Sequence, residues 1–192
     1  MEKGKIIVLS APSGSGKSTI IKALMKNREL KLDFSISATS RLPRGEEQHG
    51  KDYFFMSEEE FKGKVTEGYF VEWEEVYPGV CYGTLVSEVE RITGSGNNLI
   101  MDVDVKGALN IKDRFSDDTL TIFIMPPGLQ ELENRLRNRG TESVDTITKR
   151  LQKAEYEMSF APKFDKTVVN DNLETAVEEV ENLIKGFINS TE

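Results

Sequence analysis

The chain has 192 residues, 38% of them hydrophobic and 30% charged, with a formal net charge of −8. That length holds one core domain able to bury most of its apolar surface, and the composition is that of a folded chain, which excludes wholesale disorder. The acidic balance excludes general affinity for nucleic acid or anionic membrane, because bound phosphates demand an excess of Lys and Arg, and leaves room only for a local basic pocket.

Cys81 is the only cysteine and His49 the only histidine. An internal disulfide, a Cys-based zinc site and a His-rich metal cluster are therefore excluded. His49, among Glu46, Glu47 and Lys51, is expected to be a solvated loop residue.

At the start, Ile6 to Leu9 is an apolar run too short for a signal peptide, and no later run approaches membrane-spanning length, so the expected compartment is the cytoplasm. Residues 5–10, "KIIVLS", predict a short buried strand, and a Pro/Gly/Ser loop ends it. Ile20, Ile21, Leu24 and Met25 then fall at helical spacing. Residues 34–84 break the rhythm with short β-like runs, aromatics and turn residues around one short helix, Ser57 to Val65, and are expected to form an inserted mixed lobe. From residue 97 strands and helices alternate: "NNLIMDVD", "VKGALNIKDRF", "TLTIFIMPP", "GLQELENRLRNRG", "VDTITKRLQKAEYEMSF", "KTVVND" and "LETAVEEVENLIKGF". The pattern predicts an α/β fold, a parallel sheet flanked by helices with right-handed crossovers.

The loop "APSGSGKST", Ala11, Pro12, Ser13, Gly14, Ser15, Gly16, Lys17, Ser18 and Thr19, carries the first chemistry. Gly14 and Gly16 let the backbone wrap with its N–H groups inward, ahead of a helix N-terminus that favours an anion. Lys17 can reach the β- and γ-phosphates of a nucleotide and Ser18 supplies a hydroxyl for Mg²⁺. The strict phosphate-loop pattern has Gly where this chain has Ala11, the smallest replacement, which removes none of the later N–H donors. The strand "LIMDVD" ends in two acids: Asp102 is a candidate for the metal side of the site, and Asp104 suits a helix cap. In the insertion, Arg41 and Arg44 flank a rigid Leu-Pro with Tyr53 downstream; the set can grip a terminal phosphate or lie solvated at the surface.

Thr39-Ser40-Arg41, Arg44, Glu47, Gly50, Tyr53 and Phe55 resemble the signature of the guanylate kinase family, in which Ala is common at the position of Ala11. The resemblance continues through "YFVEWEEV", "YGT", "MDVDVKGA", "MPP", "RLRNRGTES", "KRL" and "VVND", covering essentially the whole chain. It implies a phosphate-loop core (1–33, 85–126 and 159–192), a GMP-binding insertion (34–84) and a helical lid (about 127–158). It also implies transfer of the ATP γ-phosphoryl group to GMP or dGMP with Mg²⁺.

By position, Arg41, Arg44, Tyr53 and Tyr82 correspond to residues that hold the GMP phosphate, and Ser37, Glu72, Thr84 and Asp104 to those around guanine. Arg135, Arg139 and Arg150 correspond to lid arginines over the transferring phosphate, and Asn170 lies near the expected adenine pocket. The Glu72 carboxylate can accept guanine N1–H and the 2-amino group together, whereas adenine would oppose it with an acceptor. Taken alone, Glu72 also suits an exposed edge strand with Glu74 and Glu75, and Arg135 a surface pair with Glu131. A well-placed arginine on a transferring phosphoryl group is worth about 10³- to 10⁵-fold in rate.

Two positions depart from the family pattern: Lys106 stands where Gln is usual, and the glycine is Gly45, one position earlier than in many members, with Glu46 in its usual place. Gly140 suits either a lid pivot or a helix C-cap. Two other classes compete: a kinase of similar fold with another phosphorylated acceptor, which would lack the guanine-facing set, and a phospho-ligand-binding module, in which the phosphate loop typically degrades. The expected partners are small-molecule substrates, with neither nucleic acid nor membrane, and the sequence leaves monomer and homo-oligomer equally open.

Overall fold

The computed structural model describes residues 3–138 and 144–190. In chain order it contains β1 (Ile6–Ser10), α1 (Lys17–Leu24), β2 (Leu32–Phe34), β3 (Ala38–Thr39), β4 (Phe54–Phe55), α2 (Glu58–Thr66), β5 (Phe70–Tyr77) and β6 (Val80–Leu85). The second half contains α3 (Val86–Gly94), β7 (Asn98–Asp102), α4 (Val105–Phe115), β8 (Thr119–Met125), α5 (Leu129–Asn138), α6 (Val144–Met158), β9 (Lys166–Val169) and α7 (Leu173–Ile188).

The main sheet has the order β2-β7-β1-β8-β9, with every pairing parallel. Its central strand shows why: β1 is buried at all five positions, as a strand covered by helices on both faces must be. Alternation then splits the core. Ile7 and Leu9 pack with Ile20 and Leu24 of α1 and Val180 and Ile184 of α7, while Ile6 and Val8 pack with Val89 and Ile92 of α3 and Ala108 and Ile111 of α4. β8 repeats the division, with Ile122 and Ile124 on the first side and Phe123 on the second.

A second, mixed sheet of order β4-β3-β6-β5 stands apart with its own small core, Phe61 of α2 stacked on Phe70 at 4.3 Å beside Ala38 and Cys81. The β5–β6 hairpin turns at Pro78-Gly79, where Gly79 takes φ +78°. Helix starts obey local chemistry: Ser57, Asp104 and Asn172 each accept a backbone N–H three residues on.

Two elements went unforeseen. α3 follows β6 without a loop, so residues 86–94 lack the turn residues that would announce a helix, although Val89 and Ile92 are spaced for one buried face. β2 is only three residues long and extends the main sheet through Phe34.

Phe61→Ala empties the centre of the small core, and a cost of about 3–5 kcal/mol is expected in urea unfolding. Phe61→Leu, which refills most of the volume, is expected to recover more than half of that loss in the same measurement.

Candidate active site

The loop between β1 and α1 lies at the C-terminal edge of the parallel sheet, where open α/β sheets bind their ligands. Gly14 and Gly16 take φ +96° and +89°, which side chains disfavour. Space excludes side chains as well: a Cβ on Gly14 would sit 3.0 Å from Leu132 and 3.1 Å from Leu136 of α5, and one on Gly16 only 2.3 Å from Asn170 Nδ2. Ala11 costs nothing here, because its methyl packs against the core cluster of Ile7, Leu9 and Ile20.

Lys17 opens α1 and forms an ion pair with Asp102 at the end of β7; its ammonium also donates to the Val103 carbonyl at 3.4 Å. Ser18, in the first turn of α1, is exposed, as is Thr19 after it. Ser15 is fully buried, and its carbonyl accepts from Asn170 Nδ2 at 2.7 Å. Asn170 is itself 4% exposed, and its main-chain carbonyl accepts from Arg135 Nη1 at 3.0 Å. Arg135 Nε also donates to Glu131 at 3.0 Å. Arg150 of α6 donates to the Ser13 hydroxyl at 2.7 Å. The helices after β8 are thus tied to the loop by Arg150 directly, by Arg135 through Asn170, and by Leu132 and Leu136 against Gly14.

Beside this loop a cleft opens between the two sheets. Ser37, Glu72, Tyr82, Thr84, Asp102 and Asp104 all line it, with Phe34, Glu74 and Val76. The hairpin register assembles half of the set: Glu72 pairs with Thr84 and Glu74 with Tyr82, so alternate residues of β5 and β6 share one face. Thr84 Oγ1 donates to Glu72 Oε1 at 2.7 Å. Burial pushes the Glu72 carboxyl above its ordinary value against that bond, and the nearby Asp104 charge adds to the rise. Asp104 Oδ1 accepts from Gly107 N at 2.7 Å, the cap expected of it. Past Glu72 the cleft continues between β5, α4 and α6, along Lys106, Lys153 and Glu157.

Farther out, Arg41 is held from several directions. Its guanidinium makes a two-pronged pair with Glu47 at 2.6 and 2.8 Å, and Nε donates to Tyr82 Oη at 3.0 Å. The rings of Tyr53 and Phe55 lie 4.9 and 5.6 Å from it. The pairing holds the Glu47 carboxyl down at about 2. A depressed carboxylate keeps its pairing above its ordinary value and loses it only as pH falls through about 2, so Arg41 is oriented across the whole neutral range. His49 is exposed, as expected, yet its Nδ1 accepts from Phe55 N at 3.1 Å and so braces the same loop.

The sequence-derived residues therefore gather into three groups: the loop with Asp102, Asn170, Arg135 and Arg150; the cleft with Ser37, Glu72, Thr84 and Asp104; and Arg41 with Tyr53 and Tyr82, the last shared with the cleft. Arg44 stays apart, exposed, bonded to Glu47 through its main chain: its N–H donates to the carboxylate at 2.8 Å and its carbonyl accepts from Glu47 N at 3.1 Å. Arg139 and Gly140 lie outside the described residues. Sequence reasoning gave no role to Glu47, though its place three residues after Arg44 and six after Arg41 was a visible signal. It also missed the bond from Asn170 to Ser15, which no local pattern announces.

The guanylate kinase family model matches residues 3–186. A guanylate kinase of Porphyromonas gingivalis is 54% identical over 184 residues, covering 96% of this chain and 98% of the relative. One from Bacteroides fragilis is 51% identical, covering 97% and 91%. The crystal structure of guanylate kinase from Anaplasma phagocytophilum superposes with a TM-score of 0.73 at 29% identity, over 99% of this chain and 89% of that one.

Glu72 carries a stability consequence. Its raised value means that the ionised form is disfavoured in the folded state, so its penalty is full above that value and fades as pH falls through it towards the unfolded one. Glu72→Gln keeps an acceptor for Thr84 without the charge. It is expected to raise the thermal midpoint at pH 7, and the gain should shrink in scans taken towards pH 4.

Proposed function

The chain belongs to the guanylate kinase family and is an ATP:GMP phosphotransferase; we propose that ATP binds on the phosphate loop and GMP in the cleft around Glu72. One observation carries this division. Asp102 both lines the cleft and pairs with Lys17 of the loop, so donor and acceptor sites meet at a single carboxylate.

In this reading guanine lies against Glu72, whose carboxylate accepts N1–H and the 2-amino group. The bond from Thr84 fixes one carboxylate oxygen and leaves lone pairs on both for the base. The Ser37 hydroxyl serves O6 or N7, Thr84 spends its one hydroxyl proton on Glu72 and acts through that carboxylate, and Asp104, already fixed by Gly107, completes the wall. The GMP phosphate reaches Arg41, Tyr53 and Tyr82, with Arg44 closing from the surface. Arg41 arrives oriented by Glu47, so little side-chain entropy remains to be lost on binding.

The β- and γ-phosphates of ATP lie over the N–H groups of residues 13–19, and Lys17 exchanges Asp102 for phosphate oxygen. The donor set near Ser18 suits Mg²⁺: one exposed hydroxyl and one carboxylate, both hard oxygens, for an ion that keeps several waters and takes its other ligands from phosphate. Ser18 and Asp102 would hold it, and when bound it neutralises charge on the phosphate oxygens. Arg135 and Arg150, with Arg139, move from Asn170 and Ser13 onto the transferring group as the lid, about 127–158, and the insertion, 34–84, close and exclude water. Asn170, whose amide is committed to Ser15, supports the nucleotide by shaping the loop. The acceptor is already a phosphate oxygen, so positioning and electrostatics suffice without a strong base. The proposed acceptors include dGMP and the proposed compartment is the cytoplasm; among the described residues no helix is long and apolar enough to cross a membrane.

The test is coupled detection of ADP with ATP, Mg²⁺ and each of GMP, AMP, CMP and UMP. Turnover with GMP alone is expected, with Glu72→Gln losing about 100-fold or more in kcat/KM for GMP. Phospho-ligand binding without turnover of any monophosphate would overturn the assignment. Arg150→Ala is expected to lower kcat about 10³-fold with KM for GMP nearly unchanged, as for a charge that acts on the transition state.

A further inference from the structure

The second sheet joins the main one through two chain crossings, residues 35–37 between β2 and β3, and Leu85–Val86 between β6 and α3. Glu88, in the first turn of α3, stands just beyond the outgoing crossing and is 4% exposed. Its Oε2 accepts the N–H of Ile36, in the incoming crossing, at 2.9 Å. Arg91 Nε and Nη2 hold Oε1 and Oε2 at 2.8 and 2.9 Å. An ordinary helix-surface pair with Arg91 would leave Glu88 in water; here the carboxylate turns inward to a main-chain N–H 52 residues away in the chain.

α3 is a fixed support, because Val89 and Ile92 are built into the core with Leu99 and Met101 of β7. On the other side of Ile36, the carbonyl of Ser37 accepts from Phe54 N at 2.9 Å. Ser37, which lines the cleft, is therefore suspended between a bond from its preceding residue to the core helix and a bond of its own carbonyl to the second sheet. Without the first bond, residues 35–37 are tied to the main sheet only through their join to β2 at Phe34, while Ser37 stays bonded to the second sheet.

We propose that Glu88 is a positioning residue for the acceptor: by clasping the incoming crossing to the outgoing one, it sets Ser37 against the guanine. The proposal rests on Ser37 being a guanine contact, as argued above. Burial pushes the Glu88 carboxyl up, but the bonds from Arg91 and Ile36 outweigh it, so the group stays below its ordinary value and remains an ionised acceptor. Such a charge-assisted bond is stronger than a neutral one, and it costs little to keep because Arg91, half exposed, supplies the counter-charge at the protein surface.

The experiment compares KM for GMP, KM for ATP and kcat in the wild type, Glu88→Ala, Glu88→Gln, Ser37→Ala and the Ser37→Ala/Glu88→Ala double variant, with thermal midpoints alongside. Glu88→Ala is expected to raise KM for GMP about tenfold while KM for ATP changes less than about twofold. Glu88→Gln, which keeps an acceptor for Ile36, should restore KM for GMP to within about threefold. In the double variant the two effects should be strongly non-additive, since Glu88 acts through Ser37. If Ser37→Ala leaves KM for GMP unchanged, the guanine assignment of Ser37 fails and the proposal falls with it. If Ser37→Ala does raise it but Glu88→Ala adds its effect independently, or raises both KM values alike, only the positioning role is overturned. Should Glu88→Ala fail to fold, Glu88→Asp keeps the charge but draws the carboxylate back from Ile36. The same split between the two KM values is then expected, and equal values for wild type and Glu88→Asp overturn the proposal.

Discussion

The ion pair between Lys17 and Asp102 is the constraint on which the rest of the site depends. It links the first residue of α1 to the last residue of β7, and so fixes the glycine loop after β1 against the strand that borders the cleft. The parallel sheet makes this unavoidable. β1 and β7 are neighbours in register from Ile6 opposite Leu99 to Leu9 opposite Asp102, and both end at the same edge. A lysine that starts the helix after one strand and an acid that ends the next are brought within reach by backbone pairing, before any side chain chooses a partner. Two residues on, Asp104 caps α4 and faces the same cleft, so one strand end serves both sides of the site.

Parts of this were legible in the sequence because their causes are local. The alternation within "IIVLS" divides the core between two helical layers, the glycines of "GSGKST" mark positive φ, and Asp104 before "VKGALNI" reads as a cap. The pairing of Glu72 with Thr84 is semi-local, needing only the register of a hairpin around Pro78-Gly79. Other features have no local cause. The bond from Asn170 to Ser15 joins residues 155 apart, and that from Ile36 to Glu88 depends on how α3 packs after the second sheet is complete. Hydrophobic periodicity says which face of α3 is buried, but it does not say what a polar residue at the margin of that face will meet.

The charges in the cleft show what the proposed specificity costs a folded chain. Glu72 is held above its ordinary value by burial, with Asp104 close enough to oppose its ionisation further. A core built only for stability would place an apolar or neutral side chain there. The second sheet also carries its own small core, Phe61 on Phe70 with Ala38 and Cys81, buried on the other side of the hairpin. Stability and the proposed recognition surface thus occupy opposite faces of the same strands.

The two-pronged contact between Arg41 and Glu47 has a kinetic meaning as well as a geometric one. Under the proposed assignment, a phosphate reaching Arg41 meets a guanidinium whose charge is already shared with a carboxylate, so the net pull is smaller than a bare arginine would exert. The anion is guided into a fixed orientation without being trapped there. For a catalyst that must let a diphosphate product go after each cycle, a half-neutralised cation shortens residence while preserving alignment. On that assignment the loop from Arg41 to Glu47 is less a clamp than a die, shaping its guest and then letting it go.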